Sequence, residues 1–133
     1  MKRYVLDATA LIAFFQDEPG AAKVQQLLTE ARDTDRPLLL SVVNWGEVYY
    51  VAWQRTGETA ARQRIEEIAR LPIQVVDADM ELTHLAASLK ARHKLPYADA
   101  FAASLALHSK ASLVTSDPDF KRLSRELDLL WAH

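Results

Sequence analysis

The feature that most constrains this chain is an alternation of two periodicities. Apolar runs of three or four residues recur at Tyr4-Val5-Leu6, Leu38-Leu39-Leu40, Ile73-Gln74-Val75-Val76 and Leu113-Val114-Thr115. They are too short for helices and read as buried strands. Leu127 to Trp131 is a fifth, weaker candidate. Between the runs the spacing changes to that of helices. Val24, Leu27, Leu28 and Ala31 recur at i, i+3, i+4, i+7, as do Leu82, Leu85, Ala86 and Leu89, and Ala61, Ile65, Ile68 and Ala69 make another stripe. Strands alternating with helices imply βαβ units, a parallel sheet and helices on both of its faces. In such sheets ligands bind beyond the carboxyl ends of the strands.

The chain has 133 residues, with no repeat and no Gly- or Ser-rich linker, which predicts a single domain over 1–133. Its formal net charge is −2. A protein that grips nucleic acid by neutralising phosphates is usually basic, so any such contact here must come from local patches or bound metal. There is no cysteine, which excludes disulfides and thiolate zinc sites. The four histidines, His84, His93, His108 and His133, form no pair at ligand spacing. Met1-Lys2-Arg3 opens like a signal peptide, but Asp7 interrupts the apolar run at once. No apolar segment approaches the roughly 20 residues of a membrane span. A cytoplasmic protein is expected.

Four carboxylates are weighed as candidates, each against an ordinary structural role. Asp7 follows the first strand, where it would cap the next helix or line a site with equal reason. Asp117 follows Thr115 and precedes Pro118, a pattern that by itself favours helix capping. Asp99 lies in the first turn of a helix from Tyr97 to Ser109 that is apolar nearly all round; an acid at the end of a buried helix needs a partner, and a cation is one. Glu47 lies in a helix from about Val42 to Arg55, and on its own reads as a solvated surface residue. Trp45, Tyr49 and Trp53 share another face of that helix, an apolar stripe expected to form an interface and to support a homodimer. The cluster Lys90-Ala91-Arg92-His93-Lys94 suits the end of a helix, where cations meet the dipole.

Taken together the segments resemble a known family. Val5-Leu6-Asp7-Ala8-Thr9-Ala10-Leu11-Ile12-Ala13, followed by Asp17-Glu18-Pro19-Gly20, resembles the opening of PIN-domain proteins of the VapC toxin class. Ser41-Val42-Val43-Asn44-Trp45-Gly46-Glu47 is similar to the second motif, Pro96 to Ala103 to the third, and Leu113 to Phe120 to the fourth. Each motif alone is weak, but four in the right order are not. Thr9 departs from the pattern, in which Ser or Asn is commoner.

The resemblance implies a three-layer α/β/α, Rossmann-like PIN fold around a central, mostly parallel sheet of four or five strands. It implies a metal-dependent endoribonuclease that cleaves single-stranded or looped RNA, with Mg2+ or Mn2+ held by Asp7, Glu47, Asp99 and Asp117. Thr9, Thr115 and Asp119 are expected to support those ligands, and Asp119 is the alternative to Asp117 as the fourth carboxylate. Such chains pair with a small antitoxin, expected to pack near the Trp45 helix.

Other classes fit less well. A receiver domain would use Asp77 after Val76 as phosphoacceptor, but Asp7 has no adjacent acid and Thr115 is not followed by Lys. A haloacid-dehalogenase phosphatase needs a second Asp where Thr9 stands. A dinucleotide binder needs a glycine-rich turn, and Gly20, Gly46 and Gly57 are scattered. A PIN scaffold kept only for binding would have no use for four mutually repelling carboxylates.

Overall fold

The computed structural model describes residues 2–133. The elements run β1 (Tyr4–Leu6), α1 (Ala8–Phe15), α2 (Ala21–Thr34), β2 (Leu38–Ser41), α3 (Val42–Thr56), α4 (Glu58–Arg70), β3 (Ile73–Val76), α5 (Met80–His93), α6 (Tyr97–His108), β4 (Ser112–Thr115), a short 3-10 helix (Pro118–Leu123) and β5 (Leu129–Trp131). The five strands lie in the order β3-β2-β1-β4-β5, and every pairing is parallel. The chain therefore starts in the middle of the sheet, builds outward through β2 and β3, then crosses back to β4 on the other side of β1. The β1–β4 boundary is the topological switch point, where a crevice opens at the carboxyl ends of the strands.

Strand residues alternate between two cores, as the twofold period of a strand requires. Val5, Leu39 and Leu113 face a core shared with α5, α6 and Phe120 and Leu123 of the 3-10 helix. Leu6, Leu38, Leu40 and Val114 face the other, packed by Leu11, Leu27, Leu28, Val48 and Ile68. Both faces of the sheet are covered, giving three α/β/α layers. The Val24, Leu27, Leu28 and Ala31 stripe is buried throughout.

Two patterns depart from the sequence reading. β3 is an edge strand, so Gln74 and Val75 are exposed rather than buried. In α4 only Ala61 and Ile68 reach the core, while Ala69 is exposed. A third departure concerns the aromatic stripe. Trp45 packs partly into the protein's own core, and only Trp53, at 44% exposure, is left largely uncovered.

Gly20 lies in the connection between α1 and α2 and sits against the sheet end. It caps α2 at φ 103°, and a Cβ there would meet Ala132 Cβ, the Ala132 carbonyl oxygen and Ser116 Oγ, each at 3.3 Å. Gly20→Ala is expected to destabilise the fold by about 1–3 kcal/mol through strain at that backbone position. A denaturant midpoint equal to the parent's would show that the loop yields freely.

Candidate functional site

The switch point gathers the sequence's candidate carboxylates from four elements. Asp7 ends β1 and caps α1: its side chain accepts the Ala10 amide at 2.9 Å. Capping and lining the crevice are therefore the same placement. At 1% exposure its carboxylate is held by the Thr115 hydroxyl at 2.5 Å and the Thr9 hydroxyl at 2.8 and 3.0 Å. Asp117 follows β4, accepts the Asp119 amide at 2.9 Å and so caps the 3-10 helix. Its own amide donates to Thr115 Oγ1, also at 2.9 Å. Thr115 thus links Asp117 to Asp7 through a single hydroxyl.

Asp99 projects from the first turn of α6, a helix whose residues from Asp99 to Ala106 are all buried. Glu47 sits one and a half turns into α3, which Ser41 caps through the Val43 amide at 3.2 Å. It is half-buried rather than a free surface residue. Asp77 follows the edge strand and is exposed. The arrangement that a receiver-type acceptor would need is not there.

The electrostatics show how closely the acids converge. Burial raises the Asp7 carboxyl to about 6, opposed by its three hydrogen-bond donors, with a further upward push from Asp117. Burial, then the charges of Asp117, Asp7 and Glu47, raise Asp99 to about 7. Glu47 is raised too, by burial and Asp117, against the lowering effect of its hydrogen bond from Asn44. Each group thus feels at least one other, the signature of like charges brought into one site. One oxygen from each of Asp99, Asp117 and Asp119 lies within 4.8 Å of the others. Hard carboxylate oxygens at that spacing suit a divalent cation, whose oxygen ligands lie at roughly 2.0–2.6 Å. Asp117 and Asp119 need not be alternatives, since both face Asp99.

One participant escaped the sequence reading. Asn44, on α3, donates from Nδ2 to Glu47 Oε1 at 3.4 Å and to the Ala98 carbonyl at 3.1 Å. The signal was present as the i, i+3 spacing to Glu47, which places the two side chains on one helix face.

No curated protein matches the chain in sequence. Among solved structures, it is similar to VapBC2 of Rickettsia felis bound to a DNA fragment from its promoter, with TM-score 0.74, 18% identity and 96% of this chain covered against 97% of that one. It is also similar to PAE2754 of Pyrobaculum aerophilum, with TM-score 0.71, 20% identity and coverage of 98% and 90%. A third is VapC20 of Mycobacterium tuberculosis, a toxin that cleaves the sarcin–ricin loop, with TM-score 0.67, 17% identity and coverage of 93% and 95%. At those identities the likeness establishes the fold alone. The family rests on sequence: a family model described as PIN domain matches residues 4–126, four-carboxylate crevice included, and the chain belongs to the PIN-domain family.

Proposed function

We propose that the chain is a metal-dependent endoribonuclease and the toxin of a toxin–antitoxin pair. The observation that carries the reading is the convergence of Asp7, Glu47, Asp99 and Asp117 on the β1–β4 crevice of a PIN domain. Those four, with Asp119 beside them, would hold Mg2+ or Mn2+. When bound, such an ion supplies positive charge against the scissile phosphate and acidifies a water.

The remaining work falls to the protein's own groups. Thr9 and Thr115 fix both oxygens of Asp7, so that acceptor does not reorient during a turnover. Glu47, half-buried on α3, would orient the attacking water. That water's oxygen bonds to phosphorus, the bond to the leaving oxygen breaks, and the leaving oxygen takes up a proton. Asp99 and Asp7 hold protons more tightly than ordinary carboxyls. Protons and a divalent cation therefore compete for the same oxygens.

RNA as substrate is supported by the similarity to VapC20, and an antitoxin partner by the similarity to VapBC assemblies. Tyr50 and Trp53 leave apolar surface on α3 that suits a homodimer contact. Light scattering that shows a monomer at high concentration would remove the dimer from the proposal.

The direct test is cleavage. Partner-free protein is expected to cut RNA with Mg2+ or Mn2+ and to stop when EDTA is added. If a variant lacking all four carboxylates cuts at the parent rate, contaminating nuclease accounts for the activity and the reading is lost.

A further inference from the structure

Among the polar groups lining the crevice, Asn44 is bonded on one side only. The residue is 1% exposed. Its Nδ2 makes two hydrogen bonds, to Glu47 Oε1 and to the Ala98 carbonyl one residue before Asp99. Its Oδ1 is buried with no hydrogen-bond partner. Flipping the amide would not repair this, because Oδ1 would then face two acceptors, and those acceptors fix the orientation. An unsatisfied buried acceptor costs about 1–3 kcal/mol, and an apolar side chain of similar shape would remove that cost. A polar residue kept there despite the cost points to a role other than stability.

We propose that Asn44 is a positioning residue, which fixes the Glu47 carboxylate against the first turn of α6 and so sets the carboxylate arrangement that receives the divalent cation. The proposal rests on the reading of this site as a cation-dependent nuclease centre. The geometry supplies the argument. Glu47 and Asp99 reach the crevice from different helices, α3 and α6, which pack against each other. The Asn44 amide spans both: one hydrogen holds the carboxylate of α3, the other the backbone of α6. Without it Glu47 regains the rotamers open to a half-exposed glutamate, and the ordering must be made up when the cation enters.

The test is calorimetric titration of Mn2+ into the full chain, with melting curves in EDTA beside it. Asn44→Ala is expected to weaken Mn2+ binding by roughly 10–100-fold, the range seen when a ligand loses the group that orients it. Asn44→Leu, which also removes the orphaned acceptor, should weaken binding similarly while melting within a few degrees of the parent. Because Asn44 acts through Glu47, adding Asn44→Ala to Glu47→Gln should change Mn2+ affinity by less than about twofold, the coupling expected of groups in direct contact. A lower melting temperature with parental Mn2+ affinity in both Asn44 variants overturns the proposal and makes Asn44 a helix–helix tie. Equal losses of affinity with and without Glu47→Gln also overturn it. A parent that binds no Mn2+ removes the nuclease reading and the proposal together, which distinguishes that failure from one confined to Asn44.

Discussion

Asp7→Ala is expected to reduce RNA cleavage by well over 100-fold, beyond the roughly 10–100-fold that follows loss of a supporting group. Thr9→Val and Thr115→Val should fall inside that smaller range. The difference follows from where each residue stands. Asp7 is the carboxylate that the Thr115 and Thr9 hydroxyls and the Ala10 amide all address. The threonines orient it and do not replace it. Removing the carboxylate also leaves those donors unpaired and deletes the cap of α1, a loss of about 1 kcal/mol. Relief of the cost of burying that charge, and of the smaller repulsion from Asp117, acts the other way. Asp7→Asn separates the effects, because it keeps an acceptor for the cap while losing the charge. It is expected to fold like the parent and to be as inactive as Asp7→Ala. Cleavage by Asp7→Asn within tenfold of the parent would show that the crevice does its chemistry without this charge.

How much of this was legible in the sequence depended on what kind of signal each feature leaves. The sheet was readable because a strand buried on both faces must be a continuous apolar run, and β1, β2 and β4 are such runs. β3 misled for the same reason: Val75 and Val76 are apolar, but strand order, not composition, decides which strand lies at the edge. Helix ends were less marked. α2 and α5 stop at Asp35 and Lys94 in the left-handed region, where glycine is the usual signal. At the site, Asp7 and Asp117 carry cap signals that mask their second placement, because the strand end that needs a cap is also the mouth of the crevice. Glu47 was invisible to local reasoning, since its half-burial comes from the tertiary packing of α3, which the helix's own sequence does not display. Order along the chain, not any one motif, made the four acids stand out.

Asp99→Asn is expected to lose RNA cleavage yet, in EDTA at pH 8, to melt at or above the parent. The Asp99 carboxyl is raised to about 7 by burial and by three neighbouring acids, and Asp7 is raised to about 6. A carboxyl whose folded-state pKa exceeds its unfolded value binds more protons in the folded state. Stability then falls as pH rises, because the slope follows unfolded minus folded protons bound. The contribution is fully present below about pH 4, where both states are protonated. It is lost progressively as pH rises through the folded values, about 6 for Asp7 and about 7 for Asp99. For Asp7 alone, moving from 3.8 to about 6 corresponds to roughly 3 kcal/mol. One kcal/mol moves the melting temperature of a domain this size by about 3–5 °C. The metal-free parent should therefore melt several degrees lower at pH 8 than at pH 5, and Asp99→Asn should show a shallower fall. Mg2+ binds the deprotonated site, so it should raise the parent's melting temperature at pH 8 much more than at pH 5. Asp99→Asn, with one ligand charge gone, should gain little at either pH. Asp77→Asn, on the exposed residue after the edge strand, should reproduce the parent in every curve. If Asp99→Asn instead melts well below the parent in EDTA at pH 8, the carboxylate serves α6 as a first-turn acid facing the helix dipole, and its repulsion with Asp7, Glu47 and Asp117 is too weak to mark a cation site.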